Sequence, residues 1–93
     1  MLSQLPINLD KVNKEDIDKE IARLGMIAEL DAVSLYEQLA AYAQDPDIKK
    51  VLLDIAREEK THIGEFEALL LKKDQEQVTE LEHGKKEVSE LTE

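Results

Sequence analysis

Glu59 and His62 stand three residues apart in Glu59-Lys60-Thr61-His62, in a stretch whose pattern is that of a helix. Ile48, Leu52, Ile55, Glu59, His62, Phe66 and Leu69 follow one another at steps of four and three, the spacing of a core-facing seam. Five of the seven are apolar; Glu59 and His62 are not. A carboxylate in such a seam is costly unless it is paired or binds a metal. Residues at i and i+3 share a helix face, so both side chains can reach one cation. Carboxylate plus imidazole suits iron, manganese or zinc.

The elements that must position these groups are helices. Many Ala, Leu, Glu and Lys with three glycines and two prolines point to an all-α chain. Residues 1–13, with Pro6, read as an extended leader. Asn13 is placed to cap a long helix from about Lys14 to Gln44, with Glu15 and Asp16 favourable in its first turn. Asp45-Pro46-Asp47 breaks it, and a second helix runs from about Pro46 to Lys73. So short a connector makes the two antiparallel neighbours, a hairpin over residues 14–74. Residues 75–93 form a C-terminal helix and tail. This weaker helix, about Glu76 to Leu91, carries Val78, Leu81, Val88 and Leu91 on one side, is interrupted by Gly84, and reads as an oligomer contact.

Glu29 is the third residue of interest. On the first helix Arg23, Asp31, Ser34, Glu37 and Gln38 share a polar sector, and Glu29 falls outside it, among Ala22, Gly25, Val33, Tyr36 and Ala40. It precedes Asp45 by sixteen residues; Glu59 and His62 follow Asp45 by fourteen and seventeen. At ~1.5 Å per residue all three lie roughly 20–25 Å from the turn, at one height in the hairpin. Di-iron carboxylate bundles use a Glu from each of two helices and a Glu-x-x-His from each of two others. This chain holds half of that set, and a symmetric dimer completes it. The rest of the first helix is apolar over more surface than a two-helix hairpin can cover, which also predicts burial against another subunit.

Blander roles stand beside these. His62 fits a hydrogen-bonded core histidine, and Glu29 a carboxylate paired with a lysine or arginine. Glu58 steps off the stripe toward solvent, and His83, beside Gly84, reads as a surface residue. Tyr36 fits core packing or a hydrogen bond behind the ligands. Asp31 is a candidate for an outer cation site. Glu15, Asp16, Asp18 and Glu20 read as a solvated run at a helix N-terminus.

Composition narrows the classes. Ninety-three residues make one small domain of the kind that often gains stability by oligomerising. With no cysteine there is no disulfide, zinc ribbon, rubredoxin-type iron site or thiol catalysis. A net charge of −10 argues against a nucleic-acid partner. No apolar run approaches the ~18 residues of a membrane span, and Met1 to Asp10 lacks the basic start and apolar stretch of a signal sequence.

The stretch Ile27-Ala28-Glu29-Leu30-Asp31-Ala32-Val33-Ser34-Leu35-Tyr36-Glu37-Gln38, with Leu52 to His62 and the C-terminal EQVTELEHGKKEVSELT, resembles the encapsulated ferritins, most of all the archaeal type associated with or fused to an encapsulin shell. The resemblance implies a ferritin-like four-helix bundle formed on dimerisation and a decameric ring, a pentamer of dimers. It implies a ferroxidase that oxidises Fe(II) to Fe(III) with oxygen at a di-iron site shared by two subunits. Glu29, Glu59 and His62 match the ligands, and Tyr36 a tyrosine beside the site. Storage is implied in a cytoplasmic encapsulin nanocompartment. Some members carry further carboxylates and a tryptophan on the outer, iron-uptake side; the matching positions here are Ala28, Asp31 and Leu35, so only Asp31 keeps a carboxylate there. No Gly-Ser-Leu-type shell-targeting tail is evident, which leaves fusion to a shell or another route into it. A rubrerythrin-like peroxide reductase and a non-catalytic helical assembly module are the rival expectations.

Overall fold

A computed structural model of the chain describes residue 4 and residues 7–93; Pro6 lies outside the described residues. Three helices carry the fold: α1, Ile17–Tyr42, α2, Pro46–Lys73, and α3, Gln75–Thr92. The N-terminal segment is not uniformly extended, since 3-10 turns occupy Leu9–Lys11 and Lys14–Asp16. The first α-helix therefore starts at Ile17 rather than Lys14. Asn13 precedes the 3-10 turn with an extended backbone and makes no side-chain capping bond. The Asp16 amide instead closes a tight turn on the Asn13 carbonyl at 2.9 Å.

At its other end α1 stops at Tyr42, two residues earlier than the pattern suggests. Pro46 disfavours helical backbone at Asp45, and a three-residue link must reverse the chain. Ala43 and Asp45 are accordingly extended. Asp45 Oδ1 then accepts from the amides of Asp47 at 2.7 Å and Ile48 at 3.3 Å, capping α2, with Pro46 in the first turn where no amide is needed. Asp45→Ala is expected to destabilise the chain by about 1 kcal/mol. Thermal melting should show this as a midpoint roughly 4–8 °C lower.

Gly84 does not interrupt α3, which runs unbroken through it. A glycine inside a helix is a penalty of about 1 kcal/mol, not a stop, when no positive φ is imposed. The elbow between α2 and α3 is held by Asp74. Its Oδ1 accepts from the Gln77 amide at 3.0 Å, and Arg23 Nη2 on α1 donates to its Oδ2 at 2.8 Å. Arg23 Nη1 also donates to Glu20 at 3.3 Å. The Gln77 amide, with Arg23 and Lys19, holds the Asp74 carboxyl below its ordinary value of 3.8, against the opposing effect of burial. A depressed carboxylate pKa stabilises above the unfolded value and loses that contribution as pH falls through the folded one. The start of α3 should therefore loosen below about pH 3.8, read as a lower protection of the Gln77 amide relative to the unstructured exchange rate at the same pH, and Asp74→Asn should remove that dependence.

The hairpin has little core of its own. Its buried apolar residues are Ala22, Ala40, Ala56 and Leu70, and among the described residues no large side chain is fully buried. Small residues let α1 and α2 approach closely, but they bury little area. The radius of gyration is 16.5 Å, against about 12 Å for a compact chain of this length. The seam of α2 is only half covered: Ile48 and Leu69 are each 54% exposed, because two helices provide no third layer above it. Leu30, Leu39, Val51 and Leu53 are exposed as well. An apolar surface of this extent on so small a chain marks an interaction face. None of the helices among the described residues is long and apolar enough to cross a membrane.

Candidate metal centre

The antiparallel pairing of α1 and α2 brings Glu29 against Glu59 and His62. One ligand atom from each lies within 4.8 Å of the others. His62 Nδ1 is 3.4 Å from Glu29 Oε2 and 3.5 Å from Glu59 Oε2. Both distances are too long for strong hydrogen bonds. The two carboxylate side chains are 19% exposed and the imidazole 43%. The three groups thus face one small volume that opens outward on the His62 side.

Glu29 decides between the polar readings. Its Oε2 is buried and has no hydrogen-bond partner. Its one ion-pair neighbour among the described residues is His62, not a lysine or arginine. An unsatisfied buried carboxylate oxygen is expensive, and a cation held jointly with Glu59 and His62 removes that penalty. Two carboxylates and one imidazole nitrogen are a donor set for iron, manganese or zinc. The residues therefore fit a metal ion, and they are too few to fill its coordination sphere by themselves.

The other singled-out residues lie apart from this trio. Tyr36 is half-buried on α1, two turns beyond Glu29. Asp31 is buried, only 9% exposed, rather than standing in a solvated sector with exposed Ser34, Glu37 and Gln38. Glu58 is exposed. His83 is exposed on α3, flanked by Glu80 at 3.3 Å and Glu87 at 3.5 Å in ordinary surface pairs. Within the N-terminal acidic run Asp16 pairs with Lys19 and Glu20 with Arg23. Lys60 pairs with Glu37 at 3.1 Å across the exposed side of the hairpin.

A family model described as EncFtn-like matches residues 4–84, most of the chain and all three ligand candidates. The chain belongs to the EncFtn-like family. This EncFtn-like chain is 58% identical over 94 residues to a ferritin-like-encapsulin shell fusion protein of Pyrococcus furiosus. The match covers 99% of the chain but 27% of the fusion protein, so the chain spans about a quarter of that relative's length. Its fold also matches the crystal structure of the encapsulated ferritin domain from Pyrococcus furiosus, with a TM-score of 0.84 at 57% identity, over 99% of this chain and 96% of that one. The hairpin with its appended third helix is therefore the fold of an encapsulated ferritin domain.

Proposed function

We propose that the chain is a ferroxidase that oxidises Fe(II) to Fe(III) with dioxygen, with Glu29, Glu59 and His62 as its iron ligands. The observation that carries this reading is the unpartnered, buried Glu29 Oε2 facing a carboxylate and an imidazole. Iron is the substrate here. Two copies of the chain bring two such trios together, and the half-covered faces of α1 and α2 are the surfaces that meet. At the completed site Glu59 bridges two Fe(II) ions, Glu29 binds terminally, and His62 gives one nitrogen to each iron. Each Fe(II) gives up one electron, and the two electrons with two protons reduce dioxygen to hydrogen peroxide. Fe(III) leaves as a hydroxo or oxo species formed by hydrolysis with release of protons. In this reading Tyr36 supports the ligands from behind by a hydrogen bond, and Asp31, buried in the single chain, is the candidate for an outer iron-entry site.

Similarity to a protein that joins a ferritin-like part to an encapsulin shell supports a further placement. The assembly, a decameric ring of five dimers, works inside an encapsulin compartment in the cytoplasm and delivers Fe(III) for storage there. A peroxide reductase of the same fold requires an electron donor, and the chain has no cysteine to hold a rubredoxin iron. Stopped-flow oxidation of Fe(II) with either dioxygen or hydrogen peroxide tests the assignment. Saturable oxidation by dioxygen without an added reductant is the expected result. Catalytic turnover of peroxide with a reductant, and none with dioxygen, contradicts it.

A further inference from the structure

Gly25 and Phe66 occupy the helical turn next to the ligands. Gly25 lies four residues before Glu29 on α1, and Phe66 four residues after His62 on α2. Because the helices are antiparallel, these offsets place both residues in one layer, directly beyond the ligand layer and away from the turn. A Cβ built at Gly25 would lie 2.6 Å from Phe66 Cδ1 and Cε1 and 2.8 Å from Cγ. The glycine is not there for a left-handed backbone, since no glycine has positive φ. The ring fills the space a side chain would take.

Resting on the ferroxidase reading, we propose that the Gly25–Phe66 contact positions the metal ligands by setting the separation of α1 and α2 beside them. Carbon contacts sit at about 3.5–4.0 Å, so a methyl group at position 25 forces a displacement of about 1 Å. Spinning the ring about its own axis does not relieve it, because Cγ stays in place. Relief needs a new χ1, which a helix restricts, or a shift of α2 itself. A constellation such as Glu29, Glu59 and His62 works only when held to about 0.5 Å. A shift of α2 one turn away moves His62 relative to Glu29 by more than that. Phe66 and Gly25 are positioning residues and touch no metal.

Gly64 supplies the internal control. It lies in the same helix as His62, and a Cβ there meets nothing within 4 Å. Gly64→Ala therefore has the same gain in helix propensity as Gly25→Ala without the steric conflict. Co(II) titration of the full chain, followed by visible absorption, reads both affinity and ligand geometry. Gly25→Ala is expected to weaken Co(II) binding by about tenfold or more and to change the band shape. Gly64→Ala should match the unsubstituted chain. The double variant Gly25→Ala/Phe66→Ala, which removes the three ring carbons nearest a Cβ at position 25, should recover most of the affinity and the original band. If Gly25→Ala alone does not fold, the double variant must still fold and bind. Unaltered Co(II) binding in Gly25→Ala overturns the inference, as does a loss the double variant fails to repair. A chain that takes up no Co(II) before any substitution overturns the ferroxidase site and this inference together.

Discussion

His62→Ala removes saturable Fe(II) uptake and slows oxidation in air by more than the ~10–100-fold that loss of an outer-shell partner produces. The imidazole is the nitrogen donor of the trio and the group nearest both carboxylates, at 3.4 and 3.5 Å. Without it two acidic side chains face each other with no cationic or nitrogen partner among the described residues. Glu29→Leu should lose iron equally, with a different signature in the metal-free chain. Its Oε2 is buried without a hydrogen bond, and its ion-pair neighbour His62 stands 3.4 Å away, so replacing the carboxylate by an apolar group of similar volume should stabilise the apo protein. A rise of about 1 kcal/mol in unfolding free energy, with loss of binding, marks a residue kept for chemistry rather than stability. Calorimetry of metal-free wild type and Glu29→Leu checks this. A destabilised Glu29→Leu means that the His62 contact serves Glu29 structurally.

Anaerobic Fe(II) should raise the melting temperature by about 10 °C or more when present at a hundredfold over its dissociation constant. A ligand at that excess, bound to the folded state alone, contributes about 2.7 kcal/mol, and a chain of this size gains roughly 4–8 °C per kcal/mol. The same titration should move the chain toward larger species in sedimentation. Among the described residues the buried apolar ones of a single chain are three alanines and a leucine, while Ile48, Val51, Leu53 and Leu69 stay exposed. The proposed sharing of the metal site across those faces would link iron to assembly. His62→Ala should abolish both the thermal and the sedimentation response. An iron-induced shift that survives His62→Ala places the binding elsewhere on the acidic surface.

The hairpin and its ligands were readable for different reasons. The heptad spacing through Glu59 and His62 is a strict pattern, and Pro46 marks the turn, so α2 is placed to the residue. Counting outward from Asp45 puts Glu29 at the right height, because α1 is regular over that distance. The start of α1 was less readable. Lys14–Asp16 has the composition of a helical first turn, and composition does not separate a 3-10 turn from an α-helix. Gly84 misled for the opposite reason, since a helix tolerates one glycine when its neighbours are good formers. Burial of Asp31 was hidden, because periodicity alone put it with the solvated Ser34 and Glu37. Gly25 carried a signal, a glycine in a helix interior with no turn nearby, but only the ring of Phe66 shows what it makes room for. The Arg23–Asp74 contact joins residues 51 apart in the chain, and no local pattern announces it.

Iron stoichiometry tests the central claim most directly. Fe(II) is titrated anaerobically into metal-free protein, bound iron is counted per chain, and the mass of the iron-loaded species is measured by sedimentation. Saturation at one iron per chain, on a species no smaller than a dimer, and its loss in the Glu29→Ala/Glu59→Ala/His62→Ala variant, is the predicted result. Saturable binding that persists in that variant, or iron held by a lone chain, contradicts a site made by Glu29, Glu59 and His62 of two copies.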